Sequence, residues 1–365
     1  MQKSIRQKNY WLIVAGWLFL TAMVVTVPGC RKNPRALRDF NQVNILANND
    51  EYSAIRVDPA FLNGWGLSFS PGGTAWVSAA NTGLSEVLNA TTGAQGLPSV
   101  SIPTSGDATM GGHPSGQLFN GTGGFKLSNG NPARFIFAGL DGVITGWNGG
   151  PSAVVAVDDS KSGAVYTGIT LAKNGWDNFL YVANFSARKI DVYDSLWAEV
   201  EMPFKDPFLP SGYSPFNLRA IGDWIYVAYA KVGANGDEDK GVGNGFVDIF
   251  KTDGSFVRRF ASKGTLNAPW GLEKAPAGFF SNDMDMPNVP DAILVGNFGD
   301  GRINVYQPNG SFIGQLRSKG KVLEIDGLWA ISFAPVTATT VDPGWLFFAA
   351  GPDEEADGLF GYITK

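Results

Sequence analysis

Apolar residues in this chain come in short runs, mostly β-branched or aromatic, and nearly every run is closed by Gly, Asp or Asn. That pattern predicts short antiparallel strands joined by tight turns. The stretch Ala268 to Leu316 is the clearest instance. Ala268-Pro269-Trp270-Gly271-Leu272 opens it, and Ala292-Ile293-Leu294-Val295-Gly296-Asn297-Phe298 follows. The chain then turns at Gly299-Asp300-Gly301 and leaves on Arg302-Ile303-Asn304-Val305-Tyr306. No convincing long stretch of helical periodicity follows residue 40.

The same phrase recurs about six times. Anchored on Gly66, Gly116, Gly168, Asn217, Gly271 and Ala330, successive copies are offset by 50, 52, 49, 54 and 59 residues. One meander cannot bury both of its faces, so repeats of this period imply four-stranded blades set radially about a channel. The last copy stops at Lys365 after a third strand, Leu359 to Ile363, and Gln42 to Ala47 is available as the fourth. Closure by that pairing removes the bare edge that would otherwise template aggregation. The expectation is an all-β, six-bladed propeller over residues 41–365, knitted shut by its N-terminal strand.

Ahead of the repeats stands a different signal. Lys3, Arg6 and Lys8 precede the uncharged run Trp11 to Val27, which ends at Val27-Pro28-Gly29-Cys30. Basic, apolar and small segments in that order predict a secretory signal over residues 1–29. It resembles a bacterial lipoprotein signal, with Cys30 the lipidated residue and residues 30–40 a tether; an uncleaved anchor is the alternative. Cys30 is the only cysteine, so no intramolecular disulfide can form. The implied address is the bacterial cell envelope, with the membrane reached only through the lipid.

Charge then narrows the partners. The chain carries net −5, or −8 once the three cations of residues 1–29 are removed. That sign, with no basic cluster among aromatics, argues against nucleic acid. His113 is the single histidine, so its count and position disfavour His-rich zinc sites, Ser-His-Asp triads and Cys-His pairs; before Pro114 it reads as a turn residue, with a general base facing the channel as the alternative. Any metal would be held by oxygen ligands, which suits Ca²⁺.

The candidate site residues follow from the repeat. Trp65, Trp270 and Trp329 recur near one point of their copies, where they fill the wedge between blades or stack a flat ligand. Asn184 and Asn297 end equivalent strands, and Asp141 and Asp300 lie in matching Asp-Gly turns. They satisfy turn backbone, or they form an oxygen-lined ring at one channel mouth, with Asn184 and Asn297 the metal candidates. Two acidic stretches, Ala234 to Gly241 and Asp353 to Gly358, are read as solvated loops, the second alternatively gathered by a cation. The first imitates a calcium loop but has Lys240 where Gly is needed and Phe246 where the bidentate Glu belongs.

Pro-x-Gly-hydrophobic entrances, Asp/Asn-Gly turns and Ile-x-Val-Tyr exits resemble the NHL-repeat propellers. The phrases Lys205 to Asn217, Gly243 to Asp248, Val295 to Gly301 and Ile325 to Trp329 resemble an uncharacterised family of exported bacterial propellers. The likeness, from Val43 to Thr364, implies fold and export, and no activity to carry over. The histidine-zinc lyases among NHL-like relatives are not matched, and the lactonase-like ones only loosely, through Asn184 and Asn297. Two functions are therefore expected, a non-catalytic module that binds a protein or glycan, or a divalent-metal hydrolase or lactonase at the channel mouth.

Overall fold

The computed structural model describes residues 37–280 and 291–365. The calls on residues 1–29 and on Cys30, as signal and lipidation site, lie outside them. Among the described residues no helix is long and apolar enough to cross a membrane.

Six β-meanders surround one axis. Their innermost strands are Gly64–Phe69, Pro114–Phe119, Tyr166–Asn174, Tyr213–Ile221, Pro269–Lys274 and Leu328–Phe333. Each packs on the next, and the sixth packs on the first, so the ring is closed. Blades one, two, four and five are complete four-stranded meanders running outwards in chain order. The third has three strands, its outer edge continuing only as a bridge between Tyr193 and Glu199.

The sixth blade is completed from the other end of the sequence. Asn41–Ala47 pairs antiparallel with Leu359–Thr364, matching Val43 with Tyr362 and Ala47 with Leu359. Arg56–Val57 then adds outside it in parallel. The folded body reaches back further than the sequence implies, because Leu37 and Phe40 are fully buried. Phe40 lies 5.3 Å from Phe279, ring centre to ring centre, and its N–H donates to Arg317 O. At the end of the expected tether at 30–40, Leu37 and Phe40 therefore belong to the core while Asp39 stays exposed.

One irregularity recurs in every blade. Each innermost strand carries a bulge near its start, at Trp65, Ser115, Thr167, Phe216, Trp270 and Trp329 in turn. A bulge leaves a residue unpaired and re-aims its side chain. The repeat anchors follow these bulges directly, and the reason is steric. A Cβ on Gly66 would lie 2.9 Å from Ser115 O of the next blade, and one on Gly116 would lie 2.9 Å from Ile169 N of the blade after. Neighbouring inner strands therefore approach closer than a side chain allows.

Candidate functional site

The six inner strands run the same way along the axis, so the channel has two chemically different ends. At the front, where the strands begin, the re-aimed side chains meet. Trp65 and Trp329 stack at 3.6 Å, Phe298 covers the other face of Trp329 at 3.6 Å, and Trp270 meets both Trp rings edge-on. Phe216 approaches Trp329 at 5.7 Å. Trp65, Trp270 and Trp329 are only 3%, 6% and 1% exposed. Trp270 Nε1 donates to Thr167 O across the axis, and Trp329 Nε1 donates to Asn63 Oδ1. The aromatics are an axial plug, and both faces of Trp329 are taken.

Above this plug lies a cavity of about 450 Å³ lined in part by Trp65, Phe185, Phe216 and Trp329. Its rim is supplied by the two long connections between second and third strands, residues 232–244 in blade four and 351–358 in blade six. Both acidic stretches read as solvated lie here, the first contributing Asp237 and Glu238 to the lining and the second Glu355. Glu238 and Glu355 are half-buried and line the cavity, whereas Asp239 pairs outward with Lys231 at 2.6 Å.

Glu355 is held firmly. Asn63 Nδ2 donates to its Oε2 at 3.0 Å, and Asn81 Nδ2 donates to its carbonyl at 2.8 Å. Asp353, Glu354 and Glu355 all have positive φ, of 52°, 52° and 71°. Three successive non-glycine residues in the left-handed region cost roughly 1–2 kcal/mol each, a strain that concentrates at ligand sites. Burial, reinforced by the charge of Glu355, pushes the Glu238 carboxyl up to about 7. Burial likewise raises Glu355, opposed by Lys240 and by the bond from Asn63. Lys240 Nζ sits 4.1 Å from the Phe298 ring centre. The buried indole N–H of Trp65 has no acceptor among the described residues.

Of the seven residues expected from the sequence, Trp65 and Trp329 line this cavity, while Trp270, Asp141, Asn184, Asn297 and Asp300 do not. Asn184 Nδ2 donates to Asp191, and its Oδ1 accepts from Val165 N, Ser186 Oγ and Ala187 N. Asn297 Nδ2 donates to Thr265 O and Asp300 Oδ1, and its fully buried Oδ1 is unpartnered. One oxygen of Asp141 is also buried without a partner. Asn184 is thus engaged through both ends of its amide, whereas Asn297 keeps a buried oxygen with no partner among the described residues. No group of three or more His, Cys, Asp or Glu among the described residues could hold a metal ion.

The rear mouth, where the strands end, was not anticipated. A cavity of about 500 Å³ there is lined in part by Ser68, Thr170, Arg219, Glu273 and Ser332. Arg219 Nη2 lies 2.5 Å from Glu273 Oε2, and Ser332 Oγ donates to the same oxygen at 3.3 Å. A signal did exist, since each of these residues stands two positions after its repeat anchor.

No family model matches the chain. Two relatives of Acanthamoeba polyphaga mimivirus do. Uncharacterized protein L690 is 34% identical over 345 residues, covering 89% of this chain and 86% of its own, and uncharacterized protein R648 is 33% identical over 347 residues, covering 91% and 82%. The chain belongs to the family that these two proteins represent. These relatives are viral, where the sequence phrases pointed to bacterial proteins. Among solved structures, the GH93 alpha-L-arabinofuranosidase of Fusarium graminearum superposes with a TM-score of 0.54 at 12% identity, covering 89% of this chain and 97% of that one. Streptogramin B lyase gives 0.49 at 13% identity, covering 88% and 97%. The arabinofuranosidase match speaks to the fold alone, a six-bladed β-propeller.

Proposed function

We propose that this propeller is a binding module whose ligand, the end of a glycan chain, enters the front cavity. The carrying observation is the convergence of Glu238 and Glu355, from two separate loops, over a floor where the Trp65 indole N–H lacks an acceptor. Carboxylates accept from pairs of sugar hydroxyls, and the indole supplies the complementary donor. A cavity of about 450 Å³ suits one or two sugar rings and is too narrow for a folded partner. Calorimetric titration of a neutral oligosaccharide panel tests this. At least one member should bind, and Glu355→Gln should weaken it by about tenfold, or about 1.4 kcal/mol. Undiminished affinity in both Glu355→Gln and Glu238→Gln would end the reading.

One observation favours hydrolysis as a second reading. A carboxyl at about 7 still holds a proton near neutrality, and glycoside cleavage uses such a group beside an ionised partner. Release of reducing ends, lost in Glu238→Gln, would support it. The metal-dependent alternative is weakened because the Asn184 amide is fully engaged in its turn.

For cellular address we propose export and envelope anchoring through Cys30, on the order of basic, apolar and small residues in 1–30. Mass spectrometry of the mature N-terminus checks it. A Cys30 still joined to Gly29 and carrying no lipid would refute it.

A further inference from the structure

A larger cavity, of about 900 Å³, lies away from the axis between the first and second blades. Its deep side is aromatic. Trp76 stacks on Phe135 at 3.9 Å, Phe119 meets Phe135 edge-on at 5.3 Å, and Trp147 leans over Trp76 at 4.7 Å. Trp76 and Phe135 are almost wholly buried, but Trp147 is only half-buried and offers ring surface to the cavity.

This ring is held in place. Trp147 Nε1 donates to Gly150 O at 2.9 Å, and its carbonyl accepts from Arg134 N at 2.6 Å. Asn148 is fixed beside it by donating to the carbonyls of Asn131 and Pro132. A rigid aromatic face bordered by amides and hydroxyls receives the apolar face of a sugar at little entropic cost.

Charge refines the ligand class. Arg134 is the only charged residue lining the cavity, it is exposed, and its guanidinium makes no hydrogen bond or ion pair within the described residues. Among the described residues Arg56, Arg219, Arg259 and Arg302 do form ion pairs with carboxylates. A guanidinium presents a fork of donors matched to a carboxylate.

We propose that this lateral groove is a second, independent binding site for an acidic oligosaccharide, with a uronate carboxylate on Arg134 and a pyranose ring on Trp147. It does not depend on the reading of the front cavity. The probe is trigalacturonic acid, with maltotriose as its neutral counterpart, titrated calorimetrically and by tryptophan fluorescence. Trigalacturonic acid should bind with a Kd of about 1 mM or tighter and about tenfold better than maltotriose. Arg134→Glu, at an exposed position that leaves folding intact, should erase that preference, and Trp147→Ala should weaken binding about tenfold. Arg302→Gln, at a blade-five guanidinium that pairs with Glu324, should change neither value. No binding of trigalacturonic acid, equal binding of the two sugars, or an affinity indifferent to Arg134→Glu would each overturn the proposal.

Discussion

The two ends of the channel are built from the same six strands yet do opposite things with polar groups. At the rear, Arg219, Glu273 and Ser332, each two positions past its repeat anchor, lie close enough to satisfy one another. At the front, two inserted loops carry Glu238 and Glu355 over an aromatic floor, and among the described residues Glu238 has no ion pair, although the charge of Lys240 acts on both carboxyls. Charge neutralised within a scaffold stabilises the scaffold, whereas charge held partly dry and unneutralised is available to something else. The front end is therefore where a ligand is expected.

The largest test of this contrast removes the plug. Trp329→Ala should cost about 3–5 kcal/mol, because a wholly buried ring stacked on both faces leaves a void that neighbouring blades cannot close. Ser332→Ala, on the same strand at the rear, should stay within about 1 kcal/mol. Chemical denaturation of both variants separates the ends; equal losses would erase the asymmetry.

A smaller effect sharpens the electrostatic side. The Glu238 carboxyl is raised to about 7 in the folded protein, above its value in an unfolded chain. Between the two values the native state holds a proton that the unfolded state releases. Its contribution is accordingly most favourable at low pH and is lost as pH rises from about 4.5 through 7, with a slope of at most about 1.4 kcal/mol per pH unit. Glu238→Gln should flatten that slope, and Arg219→Ala should not. Thermal unfolding followed across this range reads the difference.

Smallest of all is the rear ion pair itself. The Arg219 side chain is 37% exposed, so solvent screens its attraction to Glu273. Arg219→Ala should shift stability by about 1 kcal/mol or less and leave oligosaccharide binding at the front unchanged. A larger loss would mean that the rear pair, too, is more than scaffold.

The fold was legible because its cause is local and repeated. Runs such as Ala292 to Phe298 carry strand propensity, Gly and Asp close them, and the anchor glycines mark where one inner strand presses on the next. The closing strand was legible as well, since a third strand ending at Ile363 leaves an unpaired edge and Gln42 to Ala47 fits it. The cavity rim was not. Acidic loops with no apolar periodicity look solvated, and nothing in Glu238 or Glu355 announces that ring closure brings residues more than a hundred positions apart to one opening. Trp329 was flagged for its recurrence, but only the stacking shows its faces consumed. Leu37 and Phe40 were hidden by the basic residues around them, although two apolar residues three apart were a usable hint.

The clasp between Asn41–Ala47 and Leu359–Thr364 has a temporal consequence. During synthesis the leading strand emerges long before its mate exists, so it must wait, unsatisfied, while five blades assemble behind it. Pairing across that separation carries a high loop-closure cost and is a slow event in folding. A truncation of only the last seven residues should therefore yield a chain with nearly all of its blades intact but no latch, one prone to join edge-to-edge with another copy.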